Sequence, residues 1–188
     1  VTSSHPSAGG VSIGAGIGPQ AIDRVLGIVK SYTSRVGEGP FPTELHDEMG
    51  DAIRDKGQEF GTVTGRPRRC GWLDLVVIRF AARIGGITNF AVSRMDTLGG
   101  LGDVKVCVGY EVDGQVYDNY PASLQMLDHV KPIYRAFKGW DGDLSHIRTY
   151  EDLPREAKDY LEFIEEQTGI PVSMIGVGPN REECIVRD

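Results

Sequence analysis

Arg66-Pro67-Arg68-Arg69 puts three arginines within four residues, directly after Gly61-Thr62-Val63-Thr64-Gly65. A guanidinium is a rigid fork of donors that matches carboxylate and phosphate oxygens two at a time. Threonine hydroxyls, and backbone N–H groups left uncovered by glycine, can complete an anion cradle. The cluster also reverses the sign of an acidic chain, which carries 20 Lys and Arg against 27 Asp and Glu, a formal net charge of -7. Its chemistry is capture of a small, multiply anionic ligand. A solvated basic turn is the plain alternative, and three arginines in a Gly/Pro setting fit it poorly.

Other candidates stand at predicted strand ends, where open α/β sheets place ligands. Val36-Gly37 ends one such run and Gly176-Val177-Gly178-Pro179 ends another. Each also reads as an ordinary turn. Arg94-Met95-Asp96 follows the apolar run 87–93. A carboxylate there can accept from the paired N1 and N2 donors of guanine, which adenine lacks; a strand-terminating aspartate is the plain reading. Gly14-Ala15-Gly16-Ile17-Gly18 does not complete a dinucleotide fingerprint after a strand, and reads as a flexible lead.

The 188 residues suit one domain or a large piece of one, with 40% hydrophobic and 25% charged residues allowing a packed core. The acidic balance and the lack of aromatics interleaved with the arginines argue against nucleic acid as a partner. The cysteines, Cys70, Cys107 and Cys184, form no C-x-x-C pair, so buried free thiols in a reducing compartment are expected rather than a zinc or disulfide framework. No apolar run nears the roughly 20 residues of a membrane span, and no signal peptide is visible. The start at Val1-Thr2-Ser3-Ser4, without methionine, is expected of a fragment or processed product.

The elements that must position these residues follow from periodicity and punctuation. Pro19 and the spacing of Ala21, Ile22, Val25, Leu26 and Val29 predict an amphipathic helix over 19–30. Residues 31–36 read as a strand, 37–42 as a loop, and 43–57 as a helix capped by Thr43. Residues 72–84 read as a buried helix or a strand. Strands are expected at 87–93, 104–111, 115–120, 172–177 and 184–187, with Asp113-Gly114 as a hairpin turn. The clearest helix is 151–168, stopped by Gly169 and Pro171, its acidic residues forming a solvated face. The predicted fold class is α/β: a mostly parallel sheet flanked by helices, with a short antiparallel hairpin as an excursion.

Several runs, in order along the whole chain, resemble adenylosuccinate synthetase: Val1-Thr2-Ser3-Ser4, Arg35 to Glu44, Thr64 to Asp74, Val104 to Cys107, Lys131 to Tyr134, Gly139-Trp140 and Gly178 to Arg181. The resemblance covers the C-terminal portion of that family, somewhat under half of a member, within a larger single-domain fold related to P-loop NTPases. It implies a cytoplasmic, homodimeric ligase that joins IMP and L-aspartate into adenylosuccinate, with GTP as co-substrate and magnesium. The family's phosphate loop, catalytic aspartate and histidine, and magnesium ligands have no match here, so no catalytic or metal residue is expected in this chain, and the piece alone is expected to be inactive. Edges left by the absent part are expected to promote self-association. The resemblance assigns Thr2, Val36, Gly37 and Arg66 to IMP. It assigns Thr62, Val63, Thr64, Gly65, Arg66 and Arg68 to aspartate, and Arg68, Arg94, Met95, Asp96, Gly176, Val177 and Gly178 to GTP. Arg94 stands where members often carry Lys or Ser. A non-catalytic nucleotide-binding or regulatory module and an RNA-contacting module are the other classes.

Overall fold

The computed structural model describes residues 5–187. Three parallel strands carry the frame: β1 (Leu26–Lys30), β5 (Asn89–Ser93) and β9 (Val172–Gly176), with β10 (Cys184–Val186) antiparallel to β9 at the far edge. Phe90, Val92, Val172 and Ile175 lie buried along them. Helix α6 (Arg155–Thr168) packs Ala157, Tyr160, Leu161, Phe163 and Ile164 into the same core, each full burial worth about 1.5–3 kcal/mol for the larger apolar side chains. It ends as expected at Gly169, which takes the left-handed φ of 68° that a C-cap glycine adopts without strain.

The predicted helix over 19–30 does not form. A single 3-10 turn at Pro19–Ala21 is followed by strand β1, and helix α1 lies earlier, at Gly9–Ala15. The apolar spacing that suggested a helix is overridden by pairing with β5, 63 residues away, from Leu26↔Asn89 to Lys30↔Ser93. Gly27 permits that approach, since a Cβ there would stand 2.7 Å from the Ile87 side chain. Helix α2 (Glu48–Lys56) begins later than 43, because the Asp47 side chain accepts the Gly50 N–H at 3.1 Å and so caps it. Thr43 is buried instead, with its carbonyl accepting the Trp72 N–H.

The segment 72–84 resolves into both of its readings. Leu73–Asp74 is strand β4, and Leu75–Gly85 is helix α3, with Asp74 accepting the Val76 and Val77 N–H groups. Asp74 is 3% exposed and also accepts the Tyr110 hydroxyl at 2.5 Å. Burial pushes its carboxyl up, against the pull of Tyr110 and the capped N–H groups.

The antiparallel part is larger than one hairpin. β6 (Val104–Val112) runs parallel to β4 and antiparallel to both β7 (Gln115–Tyr117) and β8 (Lys131–Phe137), making a second four-stranded sheet. The hairpin turns at Asp113-Gly114 with φ of 50° and 78°, the positive pair of a primed turn. The "mostly parallel" expectation therefore holds for one of the two four-stranded sheets. β8 lacked a clear strand signal because Lys131-Pro132 opens it and most of its positions remain partly or fully exposed. A two-stranded ribbon, β2 (Thr33–Arg35) against β3 (Arg69–Gly71), carries the arginine segment onto the frame. Among the described residues no helix is long and apolar enough to cross a membrane.

Candidate functional site

The arginine loop is a closed lobe with a hydrogen-bonded neck. Gly61 N–H donates to Arg66 O at 2.9 Å, and Arg68 N–H to Glu59 O at 2.9 Å. Gly65 turns the lobe with a φ of 63° and donates its N–H to Gly61 O. Thr62, Val63, Thr64, Gly65 and Arg66 are all exposed, and the Arg66 guanidinium makes no bond among the described residues. The lobe thus presents hydroxyls, backbone and one free guanidinium to solvent.

The other two arginines are engaged within the fold. Arg69 grips Glu44 with both arms, Nε to Oε1 at 2.8 Å and Nη2 to Oε2 at 2.5 Å, which holds the Glu44 carboxyl below its ordinary range. Its remaining nitrogen donates to Gly37 O and Gly39 O, at 3.1 and 2.9 Å. Arg35 donates to Glu38 O and Pro40 O. Two guanidiniums therefore shape the 37–40 loop, on which Val36 and Gly37 stand exposed. Arg68 reaches inward, Nη1 to Glu59 Oε2 at 2.9 Å, and its buried Nε has no partner among the described residues. Glu59 is 1% exposed and also accepts from Lys30 Nζ and the Tyr32 hydroxyl, both at 2.6 Å. Burial alone would raise the Glu59 carboxyl, but the bonds from Lys30, Tyr32 and Arg68 outweigh it and hold it at about 2.

Lys30 closes β1, so Glu59 ties the lobe to the carboxyl ends of the parallel strands. Those ends meet one another. Ser31 N–H donates to Ser93 O at 2.8 Å and the Ser31 hydroxyl to Arg94 O at 2.7 Å, while a Cβ on Gly176 would lie 3.2 Å from Ser93 Cα. Arg94 takes a left-handed φ of 66° and starts the short helix α4 (Met95–Leu98). This turn buries Met95 completely and swings Asp96 into a cleft of about 450 Å³ lined by Lys56, Gly99, Gly100, Gly142 and Asp143. The Asp96 Oδ1 is buried with no partner among the described residues. An orphaned buried acceptor costs about 1–3 kcal/mol, a cost that an incoming donor would relieve. On the neighbouring strand end Val177 is buried and gives its N–H to Glu183 O at 2.9 Å. The Gly178 N–H has no such bond among the described residues, and a Cβ there would stand 2.4 Å from Glu183 Oε2.

A family model described as adenylosuccinate synthetase matches residues 1–185. The chain belongs to the adenylosuccinate synthetase family. The adenylosuccinate synthetase of Caldanaerobacter subterraneus subsp. tengcongensis is 55% identical over 186 residues, covering 99% of this chain and 44% of that protein. That of Caldicellulosiruptor bescii is 56% identical over 189 residues, with 100% and 44% covered. A solved structure of fully ligated adenylosuccinate synthetase from Plasmodium falciparum superposes with a TM-score of 0.95 at 40% identity, covering 100% of this chain and 45% of that one. The chain thus spans about 44% of the length of the curated relatives it matches.

Within this adenylosuccinate synthetase portion the lobe, the 37–40 loop and the Asp96 cleft are joined by direct bonds through Glu59, Arg69 and Ser31. Thr2 lies outside the described residues. Sequence reasoning missed Glu59, Lys30, Tyr32 and Glu44, and left Arg69 without a partner. Only Glu59 offered a signal, as an acid two residues before the glycine that opens the lobe. Among the described residues no group of three or more His, Cys, Asp or Glu could hold a metal ion.

Proposed function

We propose that this chain is the C-terminal portion of an enzyme that joins IMP and L-aspartate into adenylosuccinate at the expense of GTP. The observation that carries the proposal is the Asp96 oxygen just past β5, buried with no partner among the described residues, on the same strand-end face as a lobe whose Arg66 guanidinium makes no bond among the described residues. In this reading Asp96 accepts from guanine N1 and N2, with Arg94, Met95 and Gly176 to Gly178 forming the surrounding wall and the Gly178 N–H facing the base oxygen. Arg66 and Arg68, with Thr62, Val63, Thr64 and Gly65, hold the two carboxylates of aspartate. Val36, Gly37, Thr2 and Arg66 contact IMP.

These residues bind and orient; they do not transfer protons or phosphoryl groups. Phosphorylating the 6-oxygen of IMP makes it a good leaving group, and the aspartate amine then displaces it. Fixing both carboxylates turns that attack into an effectively unimolecular step. In this reading magnesium and the transfer groups belong to the remaining portion of the protein. A cytoplasmic homodimer, with a fold related to P-loop NTPases, goes with this reading.

The test is conversion by the full-length protein of IMP, L-aspartate and GTP into adenylosuccinate, GDP and phosphate. Formation of adenylosuccinate only when all three are present is the expected result. A folded full-length protein that binds GTP yet forms no product would replace this reading with a non-catalytic nucleotide-binding module.

A further inference from the structure

We propose that Glu59 is a positioning residue for the dicarboxylate substrate, acting through Arg68. This rests on the function proposed above. Glu59 and Arg68 face each other across the neck of the lobe, linked twice: by the Arg68 N–H on the Glu59 carbonyl and by Nη1 on the carboxylate. The carboxylate is almost fully enclosed, and both its oxygens are occupied. On its far side it is fixed by Lys30 and Tyr32, which belong to the rigid strand-end frame rather than to the lobe. Lys30 is itself braced by the Ser34 hydroxyl at 2.8 Å.

Only one of the five Arg68 donors is engaged with Glu59. The guanidinium is therefore aimed but not consumed, and its remaining edge is left to meet an oxyanion. A fork used for bidentate recognition works only when its plane is held, because each misaligned N–H loses most of its bond. Glu59 supplies that hold. It also keeps two neighbouring cations, Lys30 and Arg68, from repelling one another in a partly desolvated space. Arg66, by contrast, has no such brace among the described residues and can follow the ligand.

The experiment uses the full-length enzyme with steady-state kinetics for each substrate. Glu59→Gln is expected to raise the KM for aspartate about tenfold, the loss of one well-aligned charge-assisted bond, while the KM for IMP moves less than about twofold. Tyr32→Phe removes one fixing bond but no charge, and is expected to shift the aspartate KM in the same direction by a smaller factor. If Glu59→Gln does not fold, Tyr32→Phe carries the test. The decisive comparison is with Arg68→Gln: the double variant is expected to be no worse for aspartate than Arg68→Gln alone. Additive effects, or equal rises in every KM, would overturn the positioning role and leave the ligase reading standing. A wild-type enzyme that makes no adenylosuccinate would overturn that reading instead.

Discussion

Asp96→Asn should separate specificity from stability. In the fold, Asp96 Oδ1 is buried with no partner among the described residues, so that oxygen carries a desolvation cost that an incoming donor would relieve. The amide has nearly the same shape and no charge, and the thermal midpoint should hold or rise. Guanine recognition should suffer. Two N–H groups on a carboxylate are worth about 1.5–3 kcal/mol each, against about 0.5–1.5 for a neutral bond. The amide retains one acceptor and turns a donor toward the second N–H, so the net loss for GTP is about 2–4 kcal/mol, or about 30-fold to about 700-fold in kcat/KM. Inosine triphosphate, which offers only the N1 donor, meets no such conflict and loses only the charge assistance. The assay is kcat/KM for GTP and for inosine triphosphate in the full-length enzyme, with a thermal melt of the same samples. The preference for GTP should fall steeply while the melt is unchanged or higher. A well-folded variant that keeps its guanine preference, or one that melts well below the wild type, would refute the reasoning.

Arg66→Leu removes an exposed guanidinium that makes no bond among the described residues, and should raise the KM for aspartate about tenfold, the factor about 1.4 kcal/mol implies, with no change in melting temperature. An unchanged KM would remove Arg66 from the site. Gly71→Ala should lower stability by about 2 kcal/mol or more, measured by urea unfolding, because its Cβ would stand 2.1 Å from the Thr43 carbonyl oxygen and neither backbone can yield cheaply. Glu59 predicts the acid limb of stability. Its folded carboxyl lies at about 2 against an ordinary 4.5, so the bonds it accepts stabilise fully above 4.5. About 3 kcal/mol is then lost as pH falls from there through 2, and Glu59→Gln should flatten that limb of the urea midpoint.

What could be read from the sequence was local. Helix α6 declared itself because its apolar stripe, its C-cap glycine and the following Pro171 agree. The Asp113-Gly114 turn and the arginine lobe were legible for the same reason, since the residues that make them are contiguous. β1 was not, because its identity is decided by a partner strand 63 positions later, and its spacing also satisfies a helix. The three arginines were visible as a cluster but not as three different parts. Arg69 finds Glu44 25 residues away, and Arg68 finds Glu59 nine residues away, and nothing in the arginines' own spacing marks either acid as the partner. The resemblance supplied roles for Arg66, Arg68 and Asp96 but gave no reason why Arg68 should stay in place without its ligand.

That reason lies in the end of α2. Its last turn delivers Lys56, whose ammonium reaches the Gly99 carbonyl on the wall of the Asp96 cleft. Three residues later the same segment delivers Glu59 to Arg68 at the neck of the lobe. Between them stands Gly57, where a Cβ would lie 2.3 Å from the Tyr32 hydroxyl and 2.8 Å from the Ile53 carbonyl oxygen. Tyr32 can therefore bond Glu59 only because position 57 carries no side chain. The cleft and the lobe are bound to one rigid helix end rather than to two independent loops. A shift of that helix end by even a fraction of an ångström would move the Lys56–Gly99 and Glu59–Arg68 contacts together.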